Sequence, residues 1–311
     1  MSSSLALLLS AGESQLDRDA AFQALRAMVL NSVVSAHSKR NYAKGLDELF
    51  ALCKERKQPL SRALLMEYRA ALLEKRLSAS TVNVRLSAVR KLVGEAQRKG
   101  IIGVEEAANL AGVPNLAQKG SRLGNWLTRE QAKELLTVPD RSTLKGKRDY
   151  AILALLLGCA LRRQELASLD IAGIQMREGR WVLADLCGNG GRVRTVAIPL
   201  WVKQAINAWM IAAKIEQGRL LRPLSKSGKL IGDELGAWAV WSVVEQSAKG
   251  IGIARFGAHD LRRTCAKLCR KNGGDLEQIK FLLGHSSIQT TERYLGSEQE
   301  IAVAVNDNLG L

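Results

Sequence analysis

Residues 181–198 read Trp181-Val-Leu-Ala-Asp-Leu-Cys-Gly-Asn-Gly-Gly-Arg-Val-Arg-Thr-Val-Ala-Ile198. The apolar runs at 181–186 and 193–198 predict strands, and the glycine-rich stretch 188–191 between them predicts a tight turn. Residues 171–176 are a candidate for a third strand. Elsewhere the apolar residues recur with the period of an α-helix. The sequence therefore predicts a mainly α fold with one small antiparallel β-sheet.

The chain before this hairpin shows helical periodicity and then an interruption. From residue 35 to about 109 the apolar stripes are helical, and no strand signal occurs. Residues 1–30 form either a frayed arm or a short first helix. Gly, Pro and polar residues interrupt the period over 112–127, as they do in a linker. We therefore predict a helical N-terminal domain over 1–111.

A second domain is predicted over 128–311, because Thr128 and Gln131 form a capping-box signature at its start. The hairpin lies in this domain, so its class is mixed α and β. Residues 301–305 are a candidate for a short apolar helix. Two further pairs with N-capping spacing predict helix starts near the C-terminus: Asp275 with Gln278, and Ser286 with Gln289.

The charge balance narrows the class of partner. Lys and Arg total 46 and Asp and Glu total 30, which leaves a formal net charge of +16. Such a surplus favours a polyanionic partner, and nucleic acid is the first candidate. On charge alone, a ribosome-bound factor or a protein at a membrane surface remains an alternative.

The cysteines and the hydropathy of the chain indicate the cellular compartment in which the protein would function. The five cysteines are scattered and odd in number, which argues against a disulfide framework and for a reducing environment. We interpret all five as small apolar packing residues. No apolar stretch approaches the ~20 residues of a membrane span, and the run 5–9 is too short for a signal sequence. The sequence predicts a soluble, cytoplasmic protein.

The first motif is His259-Asp-Leu-Arg262, which places a histidine and an arginine on one face of a predicted helix. The rigid fork of a guanidinium matches two oxygens of a phosphate, and a histidine can donate to a third. The alternative is an ordinary helix start with local ion pairs.

The second motif is Leu161-Arg-Arg-Gln-Glu-Leu166, which follows a strongly apolar run. Arg162 and Glu165 have the same three-residue spacing, so we expect the carboxylate to hold the guanidinium in place. The alternative is an ordinary surface salt bridge, which contributes little to stability.

The third motif is Leu283-Gly-His285, followed nine residues later by Tyr294. A tyrosine hydroxyl has a reference pKa of ~10 and is a poor nucleophile at neutral pH. Nearby arginines and histidines would favour the phenolate and would also neutralise a phosphate under attack. The alternative is a tyrosine that packs at a helix end.

In their order and spacing, the three motifs resemble those of the tyrosine recombinase (phage-integrase) family, in particular Xer-like site-specific recombinases. The resemblance implies a helical core-binding (SAM-like) domain followed by a mixed α/β catalytic domain. It implies a DNA strand transferase that needs no metal and no cofactor. Tyr294 would attack the scissile phosphate, form a 3′-phosphotyrosyl bond and release a 5′-hydroxyl. Arg162 and Arg262 would hold the non-bridging oxygens, while His259 and His285 would assist by hydrogen bonding and proton handling.

One position departs from the family pattern. Family members usually carry a lysine in the hairpin turn, as the general acid for the leaving 5′-oxygen, and here that position is Asn189. An asparagine cannot give up a proton, so cleavage should be slower by ~10²–10⁴-fold unless another group substitutes. Arg192 is nearest, but a guanidinium is a weak acid. The alternative is that Asn189 simply suits a type I′ turn.

Three other functions stay open at this point. The first is a catalytically weak or inactive DNA-binding protein of the same fold, which Asn189 suggests. The second is a type IB topoisomerase-like enzyme, which would relax supercoils with the same residue types. The third is a basic scaffold protein without phosphoryl chemistry.

The resemblance also implies partners, namely double-stranded DNA clamped between the two domains and further copies of the chain, as a tetramer on two DNA sites. Residues 301–305 would pack on a neighbouring protomer or on their own domain. The DNA target sequence and any accessory proteins do not follow from the sequence. Seven basic residues are candidates for contacts with the DNA backbone: Lys39, Arg40, Lys44, Arg85, Arg90, Lys119 and Arg122.

Overall fold

The computed structural model describes residues 15–117, 125–188 and 191–296. The chain divides into two compact units, an N-terminal unit that ends at Ser121 and a C-terminal unit that begins at Arg122. Within the described ranges, none of the helices combines the length and the hydropathy that a membrane span requires. Several sequence predictions concern residues outside these ranges: Lys119, Arg122, Asn189 and the candidate helix 301–305.

The N-terminal unit is built from helices alone in its described part. A serine begins each of three helices by accepting a bond from the backbone amide three residues on, as Ser35, Ser61 and Ser78 do. Leucines on the inner faces form the core of this unit and are almost completely buried. The helices are α1 (Gln15–Asn31), α2 (Ala36–Arg56), α3 (Arg62–Glu74), α4 (Ala79–Arg98) and α5 (Val104–Ala111).

The structure corrects the prediction that Arg85 contacts the DNA backbone. Its side chain points into the N-terminal unit, where the residue is only 6% exposed. The guanidinium donates to the Asn41 carbonyl at 2.9 Å and forms an ion pair with Glu48 at 3.0 Å. Gly45 leaves the necessary space, since a Cβ added there would lie 2.9 Å from Cδ of Arg85. Arg85 therefore joins α4 to α2 inside the unit.

The beginning of the predicted linker is fastened to the N-terminal unit. Arg90 donates to the carbonyls of Ala111 and Val113, at 3.2 and 2.7 Å. Asn83 exchanges two hydrogen bonds with the backbone of Leu116, at 3.0 and 2.8 Å. Residues up to 117 thus follow the surface of α4. Three of the donor groups of Arg90, a candidate DNA contact, are already used within the protein.

The C-terminal unit packs eight helices and three strands in its described part. The central helix is α7, whose residues 151–156 are all fully buried. It packs mainly against α9 and α11. The helices are α6 (Arg129–Thr137), α7 (Leu144–Gly158), α8 (Arg163–Ala167), α9 (Leu200–Ala213), α10 (Ala237–Gly250), α11 (Ala258–Lys271), α12 (Leu276–Leu283) and α13 (Ile288–Leu295).

The small sheet has the antiparallel order β1-β2-β3, and its strands are β1 (Ile174–Arg177), β2 (Arg180–Cys187) and β3 (Val193–Ala197). The strand predicted over 171–176 is β1, which begins only at Ile174 because residues 171–173 form a 3₁₀ turn. Cys187 at the end of β2 is exposed, so its interpretation as a packing residue was wrong. The turn between β2 and β3 includes residues 189–190, which lie outside the described part of the chain.

Local capping places the C-terminal helices. The predicted capping box of Thr128 and Gln131 is present at α6, and Asp275 caps α12 as expected. The cap of α13 is Ser287, which accepts from the amide of Thr290, so the prediction for Ser286 was wrong by one residue. The start of α13 is therefore one residue later than the sequence suggested.

Candidate active site

The three sequence motifs meet in the C-terminal unit, around the turn between α12 and α13. Arg162 precedes α8, Arg262 lies on α11, and Leu283 ends α12. The carbonyl oxygen of Leu283 accepts a hydrogen bond from Nη2 of Arg162 at 3.3 Å and another from Nη2 of Arg262. Because the two guanidinium groups share one acceptor, they lie side by side although they are 100 residues apart in the chain.

Arg262 is the more deeply buried of the two arginines, at 1% exposure. Its Nη1 donates to the carbonyl of Ala160 at 2.6 Å. Burial, and secondly the neighbouring charge of Arg162, lower the pKa of Arg262 to about 10. The guanidinium therefore stays protonated at neutral pH, although it is held in a position that disfavours positive charge.

Glu165 forms the ion pair with Arg162 that the spacing predicted, at 2.6 Å. The carboxylate also binds Arg194 from strand β3, through two bonds of 2.8 Å. Although burial opposes its ionisation, hydrogen bonds from Arg194 and from Arg162 lower the pKa of Glu165 to about 2. The carboxylate is therefore ionised at any pH at which the protein would work.

The half-buried ring of Tyr294 lies between two imidazoles. The rings of His259 and His285 both meet it edge to face, with centroids 5.3 Å from its own. Its hydroxyl donates to the carbonyl oxygen of His259 at 3.2 Å. The guanidinium of Arg263 lies 4.7 Å from the centroid of the same ring.

The neighbouring arginines favour the phenolate of Tyr294, as expected, but burial outweighs them. Burial raises the pKa of Tyr294, and the opposing charges of Arg262 and Arg263 do not compensate for it. The phenol is thus protonated at neutral pH in the unliganded protein. Its proton must leave when a substrate is attacked.

Both histidines are biased toward the neutral form. Burial and then the charge of Arg262 lower the pKa of His285 to about 4. Desolvation and then the charge of Arg263 lower the pKa of His259. Nδ1 of His285 lies 3.1 Å from Oγ1 of the buried Thr291, which fixes the ring orientation. Two neutral imidazoles next to a protonated phenol form a set that can accept and move a proton.

The remaining sequence candidates lie on the hairpin and in the N-terminal unit. Arg192 is exposed, and its carbonyl accepts from the amide of Gly188 at 2.7 Å at the base of the hairpin. Lys39, Arg40 and Lys44 are exposed on α2 of the N-terminal unit. No group of three His, Cys, Asp or Glu side chains in the described ranges could hold a metal ion.

Sequence reasoning missed Arg194, Arg263 and Thr291. Arg194 had a detectable signal, because it lies two positions before Val196, on the strand face that packs into the core. An arginine at an inward-facing strand position needs a buried partner. Nothing in the local sequence identified that partner as Glu165, because the two residues are far apart in the chain.

The comparisons with known proteins agree with this geometry. Residues 125–300 match the model of the phage integrase family, and residues 24–100 match the N-terminal SAM-like domain of phage integrases. The chain is 30% identical over 276 residues to tyrosine recombinase XerD of Vibrio cholerae, with 86% of each protein covered. It is 27% identical over 277 residues to tyrosine recombinase XerC of Thermodesulfovibrio yellowstonii, with 88% of this chain and 90% of the relative covered.

A structural comparison gives the same fold. A XerH site-specific recombinase bound to a palindromic difH substrate matches with a TM-score of 0.68 at 19% identity, over 94% of this chain and 88% of that one. The chain belongs to the phage integrase family. The resemblance found in the motifs, and the mainly α fold with a small antiparallel sheet, are thereby confirmed.

Proposed function

We propose that the protein is a site-specific DNA recombinase that cleaves and rejoins DNA through a 3′-phosphotyrosyl bond to Tyr294. The observation that carries the proposal is the position of the Leu283 carbonyl, which joins Arg162 to Arg262 beside the tyrosine. Two adjacent guanidinium groups can together bind the two non-bridging oxygens of a phosphodiester. The phenol next to them is the nucleophile that such a phosphate needs.

The chemistry follows from the protonation states. Tyr294 is protonated before the reaction, so a base must take its proton as the new oxygen–phosphorus bond forms. The lowered pKa values of His259 and His285 leave neutral imidazoles, and the negative charge of a bound phosphate would raise those pKa values so that an imidazole can accept the proton. The hydroxyl first has to leave its hydrogen bond to the carbonyl of His259. The binding of a phosphate next to the arginines would reposition it.

The second half of the step breaks the bond between phosphorus and the 5′-oxygen. Arg162 and Arg262 stabilise the charge that accumulates on the non-bridging oxygens in the transition state. The leaving 5′-oxygen takes its proton from water, because Asn189 cannot supply one. The phosphotyrosyl bond conserves the energy of the phosphodiester, so rejoining needs only the reverse attack by a 5′-hydroxyl. Slow cleavage is therefore part of the proposal.

In this function the protein acts in the cytoplasm, as a tetramer on two DNA sites. A strand exchange between two duplexes requires four cleavages, one for each strand. The free cysteines are compatible with a reducing compartment.

The test is the capture of a covalent protein–DNA complex. Because the target sequence is unknown, a library of nicked duplexes with a randomised central segment is incubated with the protein and separated under denaturing conditions. The nick lets the short fragment that carries the new 5′-hydroxyl diffuse away, so the phosphotyrosyl complex accumulates. Wild type should give a band whose DNA is enriched for one sequence, and Tyr294→Phe should give none. The absence of any covalent complex from wild type, or an equal band from the variant, would refute the proposal.

One alternative has an observation in its favour, namely a catalytically weak or inactive DNA-binding member of the same fold, because Asn189 replaces the usual lysine. In that case sequence-specific binding would persist without any covalent complex. The choice of DNA substrate distinguishes a topoisomerase-like enzyme from a recombinase. That enzyme would relax a supercoiled plasmid carrying one selected site, whereas a recombinase would exchange strands between two.

A further inference from the structure

Glu165 binds two arginines, and the two-pronged partner is Arg194 rather than Arg162. Nη1 of Arg194 donates to Oε1 and Nη2 to Oε2, each at 2.8 Å. Arg162 shares Oε1 through its Nη1 at 2.6 Å, and its backbone amide donates to Oε2 at 2.8 Å. The carboxylate is therefore surrounded by four donors that fix it in one orientation.

The contacts of Arg194 reach the same turn that orients the phosphate-binding arginines. Its side chain is 9% exposed, compared with 26% for that of Arg162. Nε of Arg194 donates to the carbonyl of Leu282 at 3.1 Å. The next carbonyl, that of Leu283, is the one that Arg162 and Arg262 share. All three guanidinium nitrogens of Arg194 are thus bonded within the protein.

Two glycines leave space for this arrangement. Gly284 has a left-handed φ of 62°, and a Cβ added there would lie 2.9 Å from Cδ of Arg194. A Cβ added at Gly188, at the base of the hairpin, would lie 3.0 Å from Nη1 of Arg162. The main chain therefore approaches both arginines more closely than a side chain would allow.

The charges explain why a second arginine is useful. A carboxylate paired with Arg162 alone would cancel most of the charge that Arg162 presents to a phosphate. With Arg194 present, two guanidinium groups face one carboxylate, and a net positive charge remains. Since Arg194 uses both prongs on Glu165, the charge of Arg162 remains available to an anionic ligand.

We propose that Arg194 is a positioning residue for DNA cleavage, which engages Glu165 so that Arg162 keeps both its charge and its direction toward the scissile phosphate. The inference rests on the proposed function, because it concerns the rate of the same reaction. Arg194 acts through Glu165 and the α12–α13 turn and does not itself touch the substrate.

The first test compares Arg194→Met with Arg222→Met. Arg222 is a matched control, since it also pairs with a carboxylate, that of Asp233, and donates to backbone carbonyls. The rate of covalent complex formation is measured with protein in excess over a nicked duplex that wild type cleaves, and the affinity for an intact duplex is measured separately. We expect Arg194→Met to slow cleavage by ~10²-fold, with little change in affinity. The control should react like wild type.

The second test removes the carboxylate as well. In Arg194→Met, Glu165 has only Arg162 as a charged partner, whereas Arg194→Met combined with Glu165→Gln leaves Arg162 its full charge. The double variant should therefore cleave faster than Arg194→Met alone. If the double variant cleaves no faster than Arg194→Met, the effect of Arg194 does not act through Glu165 and the inference is wrong.

A third measurement separates this electrostatic role from a purely structural one. A methylphosphonate at the scissile position lacks one negative charge, so the charge of Arg162 matters less to its cleavage. The ratio of the cleavage rates of wild type and Arg194→Met should be smaller on this substrate than on the phosphodiester. An unchanged ratio would overturn the inference. If Arg194→Met does not fold, Arg194→Lys takes its place, because lysine keeps the charge but lacks the fork.

The outcomes also distinguish this inference from the proposed function. A wild-type protein that forms no covalent complex refutes the proposed function. A wild-type protein that forms the complex, together with an Arg194→Met variant that reacts at the same rate, refutes only the role of Arg194.

Discussion

Both units bury arginines, but the Arg85 pair of the N-terminal unit and the arginine cluster around Glu165 in the C-terminal unit balance their charge differently. In the N-terminal unit, Arg85 pairs with one carboxylate, Glu48, so the buried charges cancel. In the C-terminal unit, Arg162, Arg194 and Arg262 lie around one carboxylate, Glu165, and the remaining hydrogen bonds go to backbone carbonyls. The balanced pair holds helices together. The surplus of positive charge costs stability in the free protein, and a bound anion would compensate for it, as the proposed function requires.

The largest expected effect concerns Arg162 in the cluster around Glu165. Arg162→Met removes a cation from the surplus, and Glu165 keeps Arg194 as its partner. Cleavage should fall by ~10²–10³-fold, as when one donor to a developing oxyanion is lost. The unfolding midpoint of the C-terminal unit should barely move. Single-turnover cleavage measures the first effect and urea unfolding the second. A large loss of stability with unchanged cleavage would show that Arg162 has a structural role and not a catalytic one.

The hairpin offers a gain of function. Asn189→Lys supplies an ammonium group that can protonate the leaving 5′-oxygen. Cleavage should accelerate by ~10²-fold, at the lower end of what general acid catalysis contributes. Asn189→Arg is the matched control, because it adds the same charge without a usable acid. Equal rates for wild type and Asn189→Lys on a nicked duplex would show that another group already supplies the proton.

Arg85→Met tests the balanced pair. Glu48 would lose its charged partner at the edge of the core, and the free energy of unfolding of the N-terminal unit should fall by ~2 kcal/mol, below the cost for a fully buried pair. All six tryptophans of the chain lie after Arg122, so their fluorescence follows the C-terminal unit alone, whereas far-UV circular dichroism follows both. Only the dichroism transition should shift. A shift in fluorescence as well would mean that the units do not unfold independently.

The smallest expected effect is a pH dependence confined to the C-terminal unit. The pKa of His285 is about 4 in the folded chain, below its ordinary value of 6.5, so the folded state binds fewer protons than the unfolded state. The stability that depends on neutral His285 is present above pH 6.5 and is lost as the pH falls toward 4. His285→Asn should flatten this part of the fluorescence-detected stability profile. The pKa of Glu165 gives a separate loss, which begins as the pH falls below 4.5.

Several features of the site could be predicted because they are local. The three-residue spacing of Arg162 and Glu165 implied their ion pair, and the capping residue Asp275 located the start of α12. Features that depend on distant partners could not be predicted. Arg85 looked like a surface residue on a basic helix, because its burial depends on Gly45 and Glu48 of another helix.

Local sequence patterns were enough to predict most of the helices and strands, two helix caps, the positive charge and the motifs that carry the chemistry. Those properties depend on residues within a few positions of each other, so a linear pattern is enough to reveal them. The tertiary structure decided that Arg194 meets Glu165 and that Tyr294 stays protonated between two neutral histidines. Burial and the field of distant charges set these properties, and both arise only when remote parts of the chain pack together.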